Sequence, residues 1–281
     1  MRKTLFARRI LLATELSFKS FFSRPNLLRI TLIILIPLIV SIPFGNPYRN
    51  HSTAEFVGES SFIIGRISII ILIIAIILAG SLFTSRSSRL QIRAMFSHPV
   101  NPTAVYVSQY SILWFVLFLI QSVAAFSTLT IYWSGSTSTQ VLNENPYFLI
   151  QMIPPVIITA SVIAFLLCGL FILISVLFNR ADAVIVSNLL LTFIWALLSG
   201  MLGGRDIQDY PLGLFSPHGF IRNSLYQLSG VSFPGPSVLE SFLGYPFTIE
   251  ILYLQLGLFV AIGMLSMVGS YIIFRMKSKN W

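Results

Sequence analysis

The sequence predicts an all-α integral membrane protein. It has six transmembrane helices, an N-terminal interfacial amphipathic helix, a short cytoplasmic helix between spans two and three, and a longer outer loop before span six. Three observations predict this. Only 10% of the 281 residues are charged and 56% are hydrophobic, where a soluble domain carries roughly a quarter charged residues; mean hydropathy is +0.85. Six apolar runs each approach or exceed the roughly 20 residues needed to cross a bilayer. Lys and Arg collect in alternate connections, as topology in a membrane requires.

Residues 1–26 precede the first run. Ala7, Ile10, Leu11, Thr14, Phe18, Phe21 and Phe22 recur at helical spacing, with Arg2, Arg9 and Ser20 opposite. That pattern predicts a helix lying in the cytoplasmic interface; a merely basic flank that sets topology would carry the same charge. The spans are 27–44, 62–83, 103–133, 148–178, 183–202 and 247–274. The first is too long for a signal-peptide core and lacks a small-x-small cleavage site, so it reads as a span that stays. The third and fourth are longer than a bilayer needs. Pro154-Pro155 marks the fourth for a kink. The whole chain, 1–281, reads as one transmembrane domain.

Orientation follows from the basic residues. One side receives Arg2, Lys3, Arg8, Arg9, Lys19, Arg24 and Arg29, then Arg86, Arg89 and Arg93, then Arg180, then Arg275, Lys277 and Lys279. The other receives Arg49, Arg205 and Arg222, while Glu55, Glu59, Glu144, Asp206, Asp209 and Glu240 lie in the same odd-numbered loops. Both termini are therefore expected in the cytoplasm, in the plasma membrane. The net charge of +9 is topological, and no nucleic-acid partner is expected.

The loop 85–102 is unusual. Ser88-Arg89-Leu90-Gln91 fits a capping box, His98 before Pro99 ends the helix, and Asn101-Pro102 reads as the N-cap and first-turn proline of span three. A helix of about nine residues is not stable alone. Arg89 and Arg93 share one face, and Ile92 and Phe96 form an apolar stripe beside it. An apolar stripe next to fixed cations suits a helix-in-groove contact with a partner; anionic lipid headgroups would use the same residues.

This segment, with "MFSHPV" at 95–100, resembles the coupling helix of ABC-2-type exporter permeases, which commonly show Gly-x-x-x-x-hydrophobic-Ser-x-Pro-Val there. The N-terminal interfacial helix, six spans with both ends inside, "FNRAD" at 178–182 and "LFSPHGFIRN" at 214–223 agree with the resemblance. Ser88 and Arg89 stand about where these families often carry an acidic residue and a glycine. The resemblance implies a transmembrane subunit of an ATP-driven exporter, in which two permease subunits, identical or related, pair with two cytosolic ATPase subunits. Arg89, Ile92, Arg93, Phe96, His98 and Pro99 would contact the ATPase, and Arg180 and Asp182 would form a second contact. ATP-Mg would be bound by that partner, with no cofactor in this chain. Cargo, lipid-like or amphiphilic, would leave outward.

The chain itself carries no Gly-x-x-x-x-Gly-Lys, so it is expected to hydrolyse no ATP. His51, His98 and His218 lie in separate loops and no HExxH occurs, so neither a metal site nor an enzyme is expected. Cys168 is the only cysteine, which allows no disulfide within the chain. Inside the spans, Arg66 could snorkel or pair with Glu59. Gln121, Gln151 and Asn188 are expected deeper, where they either line a pathway or hydrogen-bond between helices. Glu250 and Gln255 are open in the same way. Gly257, Ala261, Gly263, Ser266, Gly269 and Ser270 are expected to permit close helix packing. The loop 203–246 is rich in Gly and Pro and has no core of its own; 220–229 is expected to form a short helix dipping into the outer interface. The alternative is a self-contained channel or secondary transporter, which would usually require coupling charges in the spans.

Overall fold

The computed structural model describes residues 11–12, 14–15, 56–57, 60, 64–65, 101–135, 147–178, 180–202, 215, 217–230 and 249–278. Six helices are described along their length: α1 (Pro102–Gly135), α2 (Phe148–Gln151), α3 (Ile153–Leu177), α4 (Ala181–Leu202), α5 (Pro217–Ser229) and α6 (Ile249–Ser278). Three stretches, Pro102–Thr130, Phe148–Leu177 and Ile249–Ser278, are long and apolar enough to cross a membrane, and Asp182–Ile194 is a shorter apolar helix. The chain is thus a helical membrane protein. The first predicted span lies outside the described residues. So does the second, apart from residues 64–65. Of the predicted interfacial helix, Leu11, Leu12, Thr14 and Glu15 are helical, with both leucines exposed.

Local chemistry sets the helix ends. At the start of α1 the Thr103 N–H donates to Asn101 Oδ1 (3.2 Å), and the Asn101 carbonyl accepts from Ala104 and Val105. Pro102 needs no N–H there, so the predicted cap is present. The predicted fourth span divides into α2 and α3 at Met152, just before the proline pair. Neither Pro154 nor Pro155 can donate to the carbonyl four residues back, yet both fit the first turn of a new helix, where N–H groups lack intrahelical partners anyway. Val156 N–H then donates to Met152 (3.2 Å). The α5 helix opens on Pro217 and ends against Gly230, whose φ of 70° is the left-handed conformation that terminates a helix and favours glycine. The α6 helix runs past the predicted limit of Phe274 to Ser278, with Arg275 and Lys277 in its last turn, where cations suit the helix dipole.

The α3 helix packs against every other described helix. Against α1 the pairing is antiparallel. The Tyr110 hydroxyl donates to Phe165 O (3.3 Å), and one turn further along α1 the Trp114 indole N–H donates to Ser161 O (3.4 Å), one turn back on α3. Against α6 the pairing is parallel. Gly169 lies beside Gly263, and both helices end together, where Lys277 Nζ donates to Val176 O (2.7 Å) and Leu177 O (3.0 Å). That ammonium closes two carbonyls at the end of α3 that no helical N–H can reach.

The α3–α6 crossing is close because both helices offer glycine. A Cβ on Gly169 would sit 2.8 Å from Gly263 O, and one on Gly263 would sit 2.6 Å from the Phe165 ring. In a membrane, where lipid is as apolar as any side chain, such close backbone approach is a main source of helix affinity. On α6 the buried face is Leu252, Gln255, Phe259, Gly263, Ser266, Ser270 and Phe274, a single helical stripe. The predicted small-residue run is thus only partly used. Gly257 meets nothing within 4 Å of its Cβ position and Ala261 is exposed.

Candidate functional site

The residues expected to contact an ATPase from the first basic loop, Arg89, Ile92, Arg93, Phe96, His98 and Pro99, lie outside the described residues. The structure shows what that loop leads into. Asn101 caps α1 at the end of the bundle where α3 and α6 finish and α4 begins. Arg180, Arg275 and Lys277 all lie at this end; among the described residues Arg222 is the only other Lys or Arg. Arg180 and Asp182 are exposed. The Arg180 carbonyl accepts from Val184 N–H (3.2 Å), and Asp182 stands in the first turn of α4, where a carboxylate suits the dipole.

Just inside this basic end α1 is fastened to its neighbours. The Tyr106 hydroxyl lies 2.6 Å from Ser270 Oγ and donates to Met267 O (2.9 Å). Thr103 Oγ1 lies 2.9 Å from the Tyr271 hydroxyl. The Cys168 thiol, fully buried, donates to Tyr110 O (3.4 Å). The rings of Tyr271 and Phe274 pack on Tyr106 with centroids 5.4 and 5.6 Å away. Every polar atom named here has a partner. The cluster is absent from the predicted site residues, although Tyr106 and Tyr110, one turn apart at the foot of a span, were a visible signal for a buried polar face.

The far half of the bundle differs. Gln121 lies about 30 Å along α1 from Asn101, at the helical rise of about 1.5 Å per residue. It is buried and lines a small cavity of about 10 Å³ with Ile64, Ala125, Val156, Thr159, Ala160, Ile221 and Leu225. Thr159, 4% exposed, has no hydrogen-bond partner for its hydroxyl, and neither do Ser60, Ser122 and Ser224. Nearer the basic end, about 10 Å along α4 from its start, Asn188 is 0% exposed with both amide atoms unpartnered, and Thr192, one turn on, shares that state. Gln151, expected deep within a span, is instead exposed at the end of α2, so it does not join Gln121 and Asn188 in the interior. Gln151 stands in the first turn of the Phe148–Leu177 stretch, near the end of the span and not at its middle.

Residues 220–229 do form a helix, and it is packed within the bundle. From Phe220 to Tyr226 every residue is buried. The Phe220 ring packs on Phe259, centroids 5.0 Å apart. Asn223 Nδ2 donates to Gln255 Oε1 across the α5–α6 contact (3.4 Å), which places Gln255 in a contact between helices. Arg222, only 3% exposed, is carried inside with them. A helix buried on all sides is part of the bundle. Sequence composition concealed this, because polar residues in a Gly- and Pro-rich loop look like solvent-facing ones.

A scan against protein-family models finds no match, and a search of curated proteins finds no similar sequence. The chemistry is therefore read from the residues alone. Among the described residues no group of three or more His, Cys, Asp or Glu is placed to hold a metal ion. Among the described residues, the buried side-chain atoms without a hydrogen bond are the hydroxyls of Ser60, Ser122, Thr159, Thr192 and Ser224, both amide atoms of Asn188, Asn223 Oδ1 and Arg222 Nε, the last two on residues that interact through other atoms. The hydroxyls and the Asn188 amide can exchange hydrogen bonds with a neutral polar group.

Proposed function

We propose that the chain is the transmembrane permease subunit of an ATP-driven ABC-2-type exporter, working with a separate cytosolic ATPase and a second permease subunit, identical or related. The observation that carries this reading is the position of the basic segment 85–102. It is an arginine-bearing stretch between two apolar runs, and it leads directly into the capped first turn of α1 at the end where Arg180, Arg275 and Lys277 gather. By the basic-side rule this end is cytoplasmic.

The mechanism follows from the fastening of α1. ATP-Mg binding by the partner closes the ATPase pair against Arg89, Arg93, Ile92 and Phe96, with His98 and Pro99 ending the contact and Arg180 and Asp182 giving a second one. The push enters α1 at Asn101. Tyr106 and Thr103 hand it to α6, and Tyr110 and Trp114 hand it to α3, so the helices move together. Asn188, about 10 Å into α4 from the basic end, and Gln121 at the far end offer neutral hydrogen-bonding groups to the polar part of a lipid-like or amphiphilic cargo moving outward.

The test is co-purification with the candidate ATPase in nanodiscs, followed by ATPase measurement. Wild type should bind the ATPase and stimulate its hydrolysis. Arg89→Glu, Arg93→Glu and Phe96→Ala should each weaken binding, with the charge reversals worth about tenfold or more, in the range of charged contacts between partners. Normal binding and stimulation by all three variants would remove this segment as the docking element.

A further inference from the structure

We infer that the last turns of α6, from Met267 to Lys277, tie together two segments of the basic end, the start of α1 and the α3–α4 link, and that Lys277 is the positioning residue for Arg180 and Asp182. For what docks on those two exposed residues, this rests on the permease reading. The tie itself does not.

The end of α3 is held from another helix. The last four carbonyls of a helix have no N–H of that helix to accept. In α3 the Ile174 carbonyl takes the Phe178 N–H (3.1 Å), while Val176 O and Leu177 O take the Lys277 ammonium, at 2.7 and 3.0 Å. Bonds from a charged donor are the stronger kind. Because this donor stands on α6, closing the two carbonyls also fixes the end of α3 on the end of α6. Only residues 178–180 separate Leu177 from Ala181, where α4 begins. Phe178 is already extended, and the Arg180 carbonyl is engaged by Val184 N–H in the first turn of α4 (3.2 Å). So short a link has little slack, and where α3 ends decides where Arg180 and Asp182 stand. On its other side the same stretch of α6 holds α1. Tyr271 meets Thr103 (2.9 Å), and Ser270 and Met267 meet the Tyr106 hydroxyl (2.6 and 2.9 Å). The stretch is one continuous helix, so a displacement of either segment is passed to the other through residues 267–277.

The experiment measures amide hydrogen exchange of the full chain in nanodiscs for wild type, Lys277→Met and Lys277→Arg. Methionine keeps an unbranched apolar stem without the donors, and arginine keeps a charged donor. Lys277→Met should speed exchange at Phe178 and Val184 by about tenfold, as expected for losing bonds to a charged group, and leave the middle of α3 unchanged. Lys277→Arg should stay within about twofold of wild type. Unchanged exchange in Lys277→Met overturns the tie. So does an equal rise along all of α3, which marks a general loss of stability. The second measurement is binding of the candidate ATPase to the same three proteins. Binding weakened about threefold or more by Lys277→Met and kept by Lys277→Arg supports the positioning role. Equal binding by all three overturns it. If wild type binds no ATPase, the permease reading falls and the exchange result alone decides the tie.

Discussion

The two ends of this bundle handle buried polar groups in opposite ways. At the basic end, Thr103, Tyr106, Tyr110, Cys168, Ser270 and Tyr271 are all hydrogen-bonded within or between helices. Toward the far end, Ser122, Thr159 and Ser224 are buried with hydroxyls that bond nothing in the chain. In hydrocarbon a satisfied polar contact holds helices in one register, while an unsatisfied one stays available to water or a ligand. The α1 contacts at the basic end hold three helices in one register, whereas the far end mixes bonded hydroxyls, such as Thr128 on Ala124 O, with unbonded ones.

The largest effect should come from the glycine crossing of α3 and α6. Gly169→Ala places a methyl 2.8 Å from the Gly263 carbonyl, a backbone atom that cannot swing away. Overpacking of this kind costs about 1–3 kcal/mol and sometimes more. Gly263→Ala clashes with the Phe165 ring, a partly buried side chain, and meets the Leu166 Cα at an ordinary 3.5 Å, so it should fall near the low end, about 1 kcal/mol. Thermal unfolding in nanodiscs checks the order, and a larger loss for Gly263→Ala would show that ring packing governs the crossing.

An intermediate effect is expected at Tyr106→Phe. It deletes the bonds to Ser270 and Met267 but keeps the ring stacked on Tyr271 and Phe274. Ser270 Oγ retains its own bond to Met267 O (3.0 Å), so no new orphan forms. The loss should be about 0.6 kcal/mol, the average for hydrogen bonds between membrane helices, and at most about 1.7 kcal/mol, read as a lower midpoint in the same assay.

The smallest effect belongs to the far end. Ser224→Ala removes a fully buried hydroxyl that bonds nothing. Stability should change by less than about 0.5 kcal/mol or rise, because no bond is lost and a stranded polar atom is removed. A clear loss in the same assay would mean that Ser224 is held by something outside the chain.

Part of this architecture was legible in the sequence, and the reasons differ by element. Asn101-Pro102 announced the start of α1 because capping depends on neighbouring residues alone. Pro154-Pro155 announced the break in the fourth span for the same reason, though the interruption falls at Met152, ahead of the two residues that lack an N–H. The burial of α5 was not legible. Nothing local to Phe220–Tyr226 says that α3 and α6 leave room for it. The split use of the small residues was equally hidden. Gly263 and Gly257 lie on one helix, and only the presence of Gly169 opposite decides which matters. The expected pathway residues divided likewise: Gln121 and Asn188 are interior, while Gln151 fell to the wrong side of a proline-induced break.

The glycine notch between α3 and α6 also shapes how the protein is made. Its halves, Gly169 and Gly263, are separated by most of the C-terminal part of the chain. At about 5–20 residues per second, the ribosome needs about 5–20 s to pass from one to the other. Throughout that interval α3 must sit in the membrane with its groove uncovered, shielded by lipid or by an insertion factor. The α6 helix emerges after α3, α4 and α5 and drops into a slot already waiting. Clearance by quality-control proteases should therefore act chiefly on chains that stall before Gly263 is synthesised.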